Sequence, residues 1–330
     1  MGLLLDVKMK NSRVTLVFAT VARPHCVQRL IRSARQIYPD IPIIVADQSF
    51  PACDLKDFYI NNSVDAVFLS PDAGVSKARN AAVLRVKTEF FLLADDDFIF
   101  SPKTDLNIPI SILDKDHEVD VIGGLLHDIY GDLNFKNAQV RRWERVFFED
   151  ATKGIFTALP IDMFFPIEKR TAGYSYYCCD AVMNWAVMRT NILDRGAKWD
   201  ERYKCNGEHE DFYLNIKKNT NIRVAYCSDF FAFHHHPQDF GYKKQREKQE
   251  GWVKFGEKWG FQQYYNHPWG LQRFESGDKV YPQANSLEEF VARSQKSFAP
   301  RSFMAGYVNE YGDIEVVRST EDCVSVEAFV

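Results

Sequence analysis

Between Val14 and Asp97 the chain alternates two hydrophobic periods, and that alternation restricts the fold more than any other feature. Short runs rich in β-branched residues, "VTLVFAT", "IPIIVAD", "VDAVFLS" and "EFFLLAD", read as strands. Between them lie amphipathic stretches. In "PHCVQRLIRSARQIY", Pro24 suits a first helical turn, and Val27, Leu30, Ile31, Ala34 and Ile37 recur at helical spacing. "VSKARNAAVLRV" reads as a second helix. Strands separated by helices build a parallel sheet covered by those helices, an α/β architecture. Such sheets bind ligands at the C-terminal ends of their strands. Thr20, Arg23, Asp47, the loop from Pro71 to Gly74 and the triplet Asp95, Asp96, Asp97 are therefore expected along one edge. Neither GxGxxG nor GxxxxGK[ST] occurs, so no dinucleotide fingerprint or P-loop accounts for that edge.

Beyond Asp97 the regular alternation stops. "VDVIGGLL" looks like a further strand, "GEHEDFYLNIKK" like a helix after a glycine turn, and "FFAFHHH" like a strand end. No internal repeat or linker divides the chain. With 330 residues and 46% hydrophobic content it has ample material for a core. A net charge of -4 argues against gripping a nucleic-acid backbone, and no nucleic-acid partner is expected. The basic run Tyr242 to Lys248 reads as a solvated helix face, or as a contact for a membrane surface or anionic ligand. Seven cysteines without a CxxC form no zinc framework and are expected to be mostly free thiols. No apolar run approaches the ~18 residues of a membrane span. Lys8, Lys10 and Arg13 before "VTLVFATVA" imitate a signal peptide, but the strand pattern needs that segment as its first strand. The expected location is cytoplasmic or membrane-peripheral.

Four groups of residues can carry chemistry. Three adjacent carboxylates after the apolar run "FFLL" repel one another unless a cation stands among them, or unless they form a surface turn. Mn²⁺ or Mg²⁺ suits such oxygens and completes its shell with phosphate and water. Glu208, Glu210 and Asp211 fall in the first turn of the "GEHED" helix, where the helix dipole favours acids; a rigid carboxylate there can also be a general base. His234 and His236 would share one face of a strand and His235 the other, with at least one expected to bind metal. Lys77 and Arg79 precede the Asp triplet, and Arg79 suits either phosphate or a salt bridge to those acids.

"ATVARP", Asp47 ending the second strand, "GVSKARN", "LLADDDF" and the distant "HEDF" stand in the order found in nucleotide-sugar-dependent glycosyltransferases of the GT-A fold. The chain most resembles the ganglioside-synthase type of β-1,4-N-acetylgalactosaminyltransferase and the large related family of bacterial inverting enzymes. The likeness runs from about residue 14 to 236. It implies a GT-A catalytic domain over 1–236, with a nucleotide-binding half at 14–97, an acceptor and catalytic half at 98–236, and an irregular extension over 237–330. It further implies a UDP-sugar donor, with N-acetylgalactosamine or another hexose transferred to a glycan or glycolipid hydroxyl with inversion. By this resemblance Thr20, Arg23 and Asp47 line the nucleotide pocket, with Asp47 on the base, and Arg79 matches the family's "RN" arginine. Asp95 and Asp96 meet the ribose, while Asp97, with Asp95 and His234, holds Mn²⁺ or Mg²⁺. Asp211 is the implied base and Glu210 helps to hold the acceptor, while Trp185 and Trp269 could stack on acceptor sugar faces or simply fill core space. Two rivals remain: a metal-dependent nucleotidyltransferase or phosphohydrolase, and a non-catalytic sugar-binding module with structural Ca²⁺.

Overall fold

The computed structural model describes residues 13–49, 54–152, 154–161, 166, 168–236 and 250–266, with strand segments at 270–273, 279–280, 305–308 and 314–317. The first four strands and two of the first three helices fall where the two periods place them; the short helix Lys56–Asn61 was not expected. In chain order the elements are β1 (Val14–Thr20), α1 (Pro24–Ile37), β2 (Ile43–Asp47), α2 (Lys56–Asn61), β3 (Val64–Phe68), α3 (Val75–Val83) and β4 (Phe90–Asp95). β1 pairs in parallel with β2 and β4, and β2 with β3. The registers Thr20↔Asp47 and Ala19↔Asp95 align the strand ends. The expected polar edge is thus a consequence of strand register. α1 buries Val27, Leu30, Ile31 and Ala34 completely. Each such Leu or Ile contributes about 1.5–3 kcal/mol, which fixes the helix face.

After β4 the chain adds β5 (Phe98–Ile99), α4 (Asn107–Lys115), β6 (Val121–Tyr130) and β7 (Gln139–Arg141). β8 (Arg145–Asp150), β9 (Ile155–Pro160), β10 (Lys169–Thr171), β11 (Tyr174–Cys179) and β12 (Ala186–Arg189) follow. Then come α5 (Glu208–Asn219), β13 (Val224–His236), a helix α6 (Glu250–Trp259) and β14 (Gln263–Asn266). The main sheet runs β10-β11-β13-β6-β12-β4-β1-β2-β3, with β5 on β13 and β7 on β6. It is parallel from β4 to β3 and again between β6 and β13, whereas β12 lies antiparallel to both its neighbours. This is the α/β, Rossmann-like sheet the sequence predicts, extended by antiparallel strands. A second sheet contains β8, β9 and β14.

The glycine pair of β6 is a packing requirement. A Cβ on Gly123 would run into the Val182 side chain, and one on Gly124 into the Phe230 carbonyl and the Trp185 ring. Residue 230 lies in the register break of β13, between Cys227 and Phe231. Beyond that break the strands stay paired to His234↔Asp128 and His236↔Tyr130, so the histidine run sits beside the end of β6. Cys26, Cys178, Cys179, Cys205 and Cys227 are free thiols, as expected. Among the described residues no helix is long and apolar enough to cross a membrane. The basic run Tyr242 to Lys248 and Trp269 lie outside the described residues, as does much of 237–330.

Candidate active site

The Asp triplet stands at the edge predicted for it, but its three members live in different surroundings. Asp95 ends β4 with its side chain 30% exposed. Asn184 Nδ2 donates to both its oxygens at 2.9 and 3.0 Å, and Arg79 Nη2 lies 3.3 Å away. Asp96 is fully buried. Thr20 Oγ1 donates to it at 2.6 Å, Arg23 Nε donates at 3.2 Å, and Arg23 Nη2 pairs with its other oxygen. Arg23 Nη1 also donates to Asp97 at 2.9 Å. Burial pushes the Asp96 carboxyl up to about 7; Arg23 and Thr20 pull it down, and Asp97 and Asp95 add to the rise.

These contacts engage four residues that were expected at the donor. Thr20, Arg23 and Asp96 were expected at the nucleotide, yet all are buried and bonded to one another. Arg23 supplies the countercharge that lets two acids occupy the interior, where an unpaired charge is prohibitive. Asp47 was expected on the base, but it is buried and accepts from Ser49 N and Tyr59 Oη, both at 2.7 Å. It organises the loop after β2. Ser49 in turn accepts from the amide of Ala22, whose φ of 52° is left-handed. The two loops are locked together before any ligand arrives.

Asp97 and His234 do come together. Asp97 Oδ1 is buried, has no hydrogen-bond partner among the described residues and faces His234 Nε2 at 3.4 Å. His234 is held edge-on by Phe98, with ring centroids 5.0 Å apart at 78°. Its Nδ1 lies 3.0 Å from Asp128 Oδ1, and His236 Nε2 lies 3.2 Å from that same oxygen. His235 points to the other face, to the Gly131 carbonyl at 2.7 Å, as strand geometry requires. Burial opposes charge on His234, but Asp97 and Asp128 outweigh it and raise its pKa to about 9. Burial likewise opposes ionisation of Asp97, and His234 and Arg23 hold it below the usual carboxylate range. An orphan carboxylate oxygen beside an imidazole nitrogen fits a divalent ion, and the mixed oxygen and nitrogen donors suit Mn²⁺ better than Mg²⁺. Asp128, His234 and His236 also form a cluster with ligating atoms within 4.8 Å of one another. Asp95 is bonded to Asn184 and Arg79, and among the described contacts it shares no bond with His234.

The α5 N-terminus reaches the same edge, through residues other than the expected pair. Gly207, at φ 74°, opens the helix where a Cβ would press on the Gly251 backbone. Glu208 Oε1 lies 3.3 Å from Arg79 Nη1, so Arg79 bridges Glu208 and Asp95. His209 Nδ1 lies 3.2 Å from Asn184 Oδ1, on the amide that holds Asp95. Burial and the Arg79 charge push His209 down to about 3, against Asp95 and the Val182 carbonyl. Asp211, by contrast, is 1% exposed. It accepts from Lys258 Nζ at 2.9 Å and Trp259 Nε1 at 2.8 Å, both on α6. Glu210 is buried and accepts from Tyr264 Oη at 2.9 Å. The "ED" acids therefore anchor α6 and β14, while Glu208 and His209 meet the strand-end edge through Arg79 and Asn184. Of the two roles open to Trp185, the structure shows core filling: it is 0% exposed among Phe98, Phe100 and Phe230.

Residues 15–166 match the family described as Glycosyl transferase family 2. Two named relatives share the further likeness. Beta-1,4 N-acetylgalactosaminyltransferase 2 of Mus musculus is 39% identical over 117 residues, 36% of this chain and 22% of that protein. Beta-1,4 N-acetylgalactosaminyltransferase 1 of Mus musculus is 33% identical over 225 residues, 68% of this chain and 39% of that protein. The matched chain thus spans well under half the length of these relatives. Among solved structures, S. aureus TarS 1-349 superposes with a TM-score of 0.49 at 16% identity, covering 74% of this chain and 64% of that one.

Proposed function

We propose that the protein is a metal-dependent, inverting glycosyltransferase that moves a sugar from a UDP-sugar to a hydroxyl of a glycan or glycolipid. The observation that carries this reading is Asp97 Oδ1 facing His234 Nε2 at the end of the parallel strands, with Asp97 inside the stretch that matches the family. N-acetylgalactosamine is the first donor sugar to test, because the named relatives transfer it. Asp97 and His234 would hold the ion, Mn²⁺ by preference. When bound, the ion supplies positive charge against the negative charge that builds on the departing UDP.

The protein's own residues do the remainder. We assign the contact with the donor sugar or ribose to Asp95, the most exposed member of the triplet, fixed by Asn184; its exposure supports this. Arg79 holds Asp95 and Glu208 in one line, and its guanidinium is suited to the donor diphosphate. Glu208 is the α5 carboxylate connected to this edge, with its side chain 13% exposed, and we assign it the proton of the attacking hydroxyl. Attack opposite the leaving group inverts the anomeric centre in one displacement. Asp211 is the competing base, and it requires α6 to withdraw Lys258 and Trp259 first.

The test is turnover with UDP-N-acetylgalactosamine, followed by UDP release. Glu208→Gln should lower kcat by about 10²–10⁴ with donor affinity unchanged. Asp211→Asn should retain turnover and lose thermal stability instead. The opposite result moves the base to Asp211. Release of pyrophosphate or inorganic phosphate as first product would favour the nucleotidyltransferase or phosphohydrolase reading over the transferase.

A further inference from the structure

We propose that Asp128 is the positioning residue of the metal centre, fixing the His234 ring so that Nε2 faces Asp97 Oδ1. The inference rests on the metal-dependent reading above. It starts from register: β6 and β13 run parallel, and His234 stands opposite Asp128. Asp128 Oδ1 lies 3.0 Å from His234 Nδ1, while Nε2, on the far side of the ring, lies 3.4 Å from the orphan Asp97 oxygen. A metal-binding histidine whose second nitrogen donates to a carboxylate has its tautomer and orientation set by that carboxylate. Asp128 is itself held: Tyr130 Oη donates to its Oδ2 at 3.0 Å, and Arg141 Nη1 lies 3.4 Å from the same atom. Tyr130 also stacks on His236, centroids 4.5 Å apart and nearly parallel at 6°.

The same cluster, Asp128 with His234 and His236, is compact enough to hold an ion of its own. That arrangement competes with the first. An imidazole offers one lone pair when neutral, so His234 cannot ligate through Nδ1 while Nε2 serves an ion beside Asp97. Among the described residues each side has a buried atom without a hydrogen bond, Asp97 Oδ1 on one and His236 Nε2 on the other. Both Asp128 oxygens, however, already accept hydrogen bonds, whereas the Asp97 oxygen is open to an ion. Asp128 therefore orients the ligand, and His236 with Tyr130 buttresses Asp128.

Electron paramagnetic resonance of free Mn²⁺, titrated in the presence of UDP, tests the assignment without reading turnover. Asp128→Ala should weaken Mn²⁺ binding by about 10–100-fold. Asp128→Asn, whose carbonyl still accepts from Nδ1–H, should recover much of that loss. His236→Gln should stay within about threefold of the wild type, because it removes only a buttress. Asp97→Ala serves as the control that abolishes binding. A merely structural Asp128 would lower the melting temperature in both Asp128 variants and leave Mn²⁺ affinity unmoved, which overturns the proposal. Two bound Mn²⁺ per chain, or a His236→Gln loss as large as that of Asp128→Ala, would also overturn it. A wild type that binds no Mn²⁺ would overturn the functional reading and this inference together; wild-type binding lost only in Asp97→Ala would overturn the inference alone.

Discussion

Replacing Arg23 with Met removes the one guanidinium bonded to both Asp96 and Asp97. Three carboxylate oxygens, both of Asp96 and one of Asp97, lose a charged donor in a site where Asp96 has no solvent exposure. Breaking a buried pair from one side costs about 3–5 kcal/mol, because the remaining charge is stranded. At about 2–4 °C per kcal/mol for a domain of this general size, the melting temperature should fall by about 6–20 °C. The loss should depend on pH. Without Arg23 the folded-state pKa of Asp96 rises further above its unfolded value, so the deficit is largest above that raised pKa and shrinks as protons bind toward pH ~4. The double variant Arg23→Met with Asp96→Asn replaces the stranded charge by a neutral amide and should recover much of the loss. Thermal unfolding of both variants at pH 5 and pH 8 reads these effects. If Arg23→Met melted within 2 °C of the wild type at pH 8, Arg23 would not be the countercharge of the triplet, and its place would return to the ligand.

Glu210 offers a second pH signature, because burial pushes its carboxyl from 4.5 up to about 7, partly opposed by Tyr264. A raised carboxyl pKa contributes stability that is complete below the unfolded value and lost as pH rises through 7. Glu210→Gln should therefore raise stability at pH 8 by at most about 3 kcal/mol and give no gain at pH ~4; equal melting shifts at both pH values would contradict the burial argument. Trp185→Ala should cost about 3–5 kcal/mol in unfolding free energy while the acceptor KM stays unchanged, since the ring is enclosed. A raised acceptor KM with intact stability would make Trp185 a sugar contact after all.

The sequence was most legible where local pattern and global fold coincide. The periods between Val14 and Asp97 located four strands and two of the three helices there, and the register then aligned Thr20, Asp47 and Asp95 at one edge. The helix at Glu208 and the alternating faces of the histidine run were also readable. What each edge residue touches was not. Thr20, Arg23 and Asp96 look like ligand contacts in a linear chain, but a triplet of acids on a buried strand end needs internal donors, and these residues supply them. Asp128 and Asn184 carried no local signal, because β6 meets β13 and Asn184 meets Asp95 only through nonlocal pairing. The contacts of Asp211 were illegible for a related reason: its partners, Lys258 and Trp259, lie nearly fifty residues downstream.

Calorimetric titration of UDP into the protein, with Mn²⁺ and with EDTA, examines the strand-end centre most directly. Wild-type protein should bind UDP at least ~10-fold more tightly with Mn²⁺, and Asp97→Ala should erase that difference while still binding weakly. Equal UDP affinity with Mn²⁺ and EDTA in the wild type, or a metal effect that survives in Asp97→Ala, would contradict the assignment of the Asp97–His234 pair as the site that joins ion to donor.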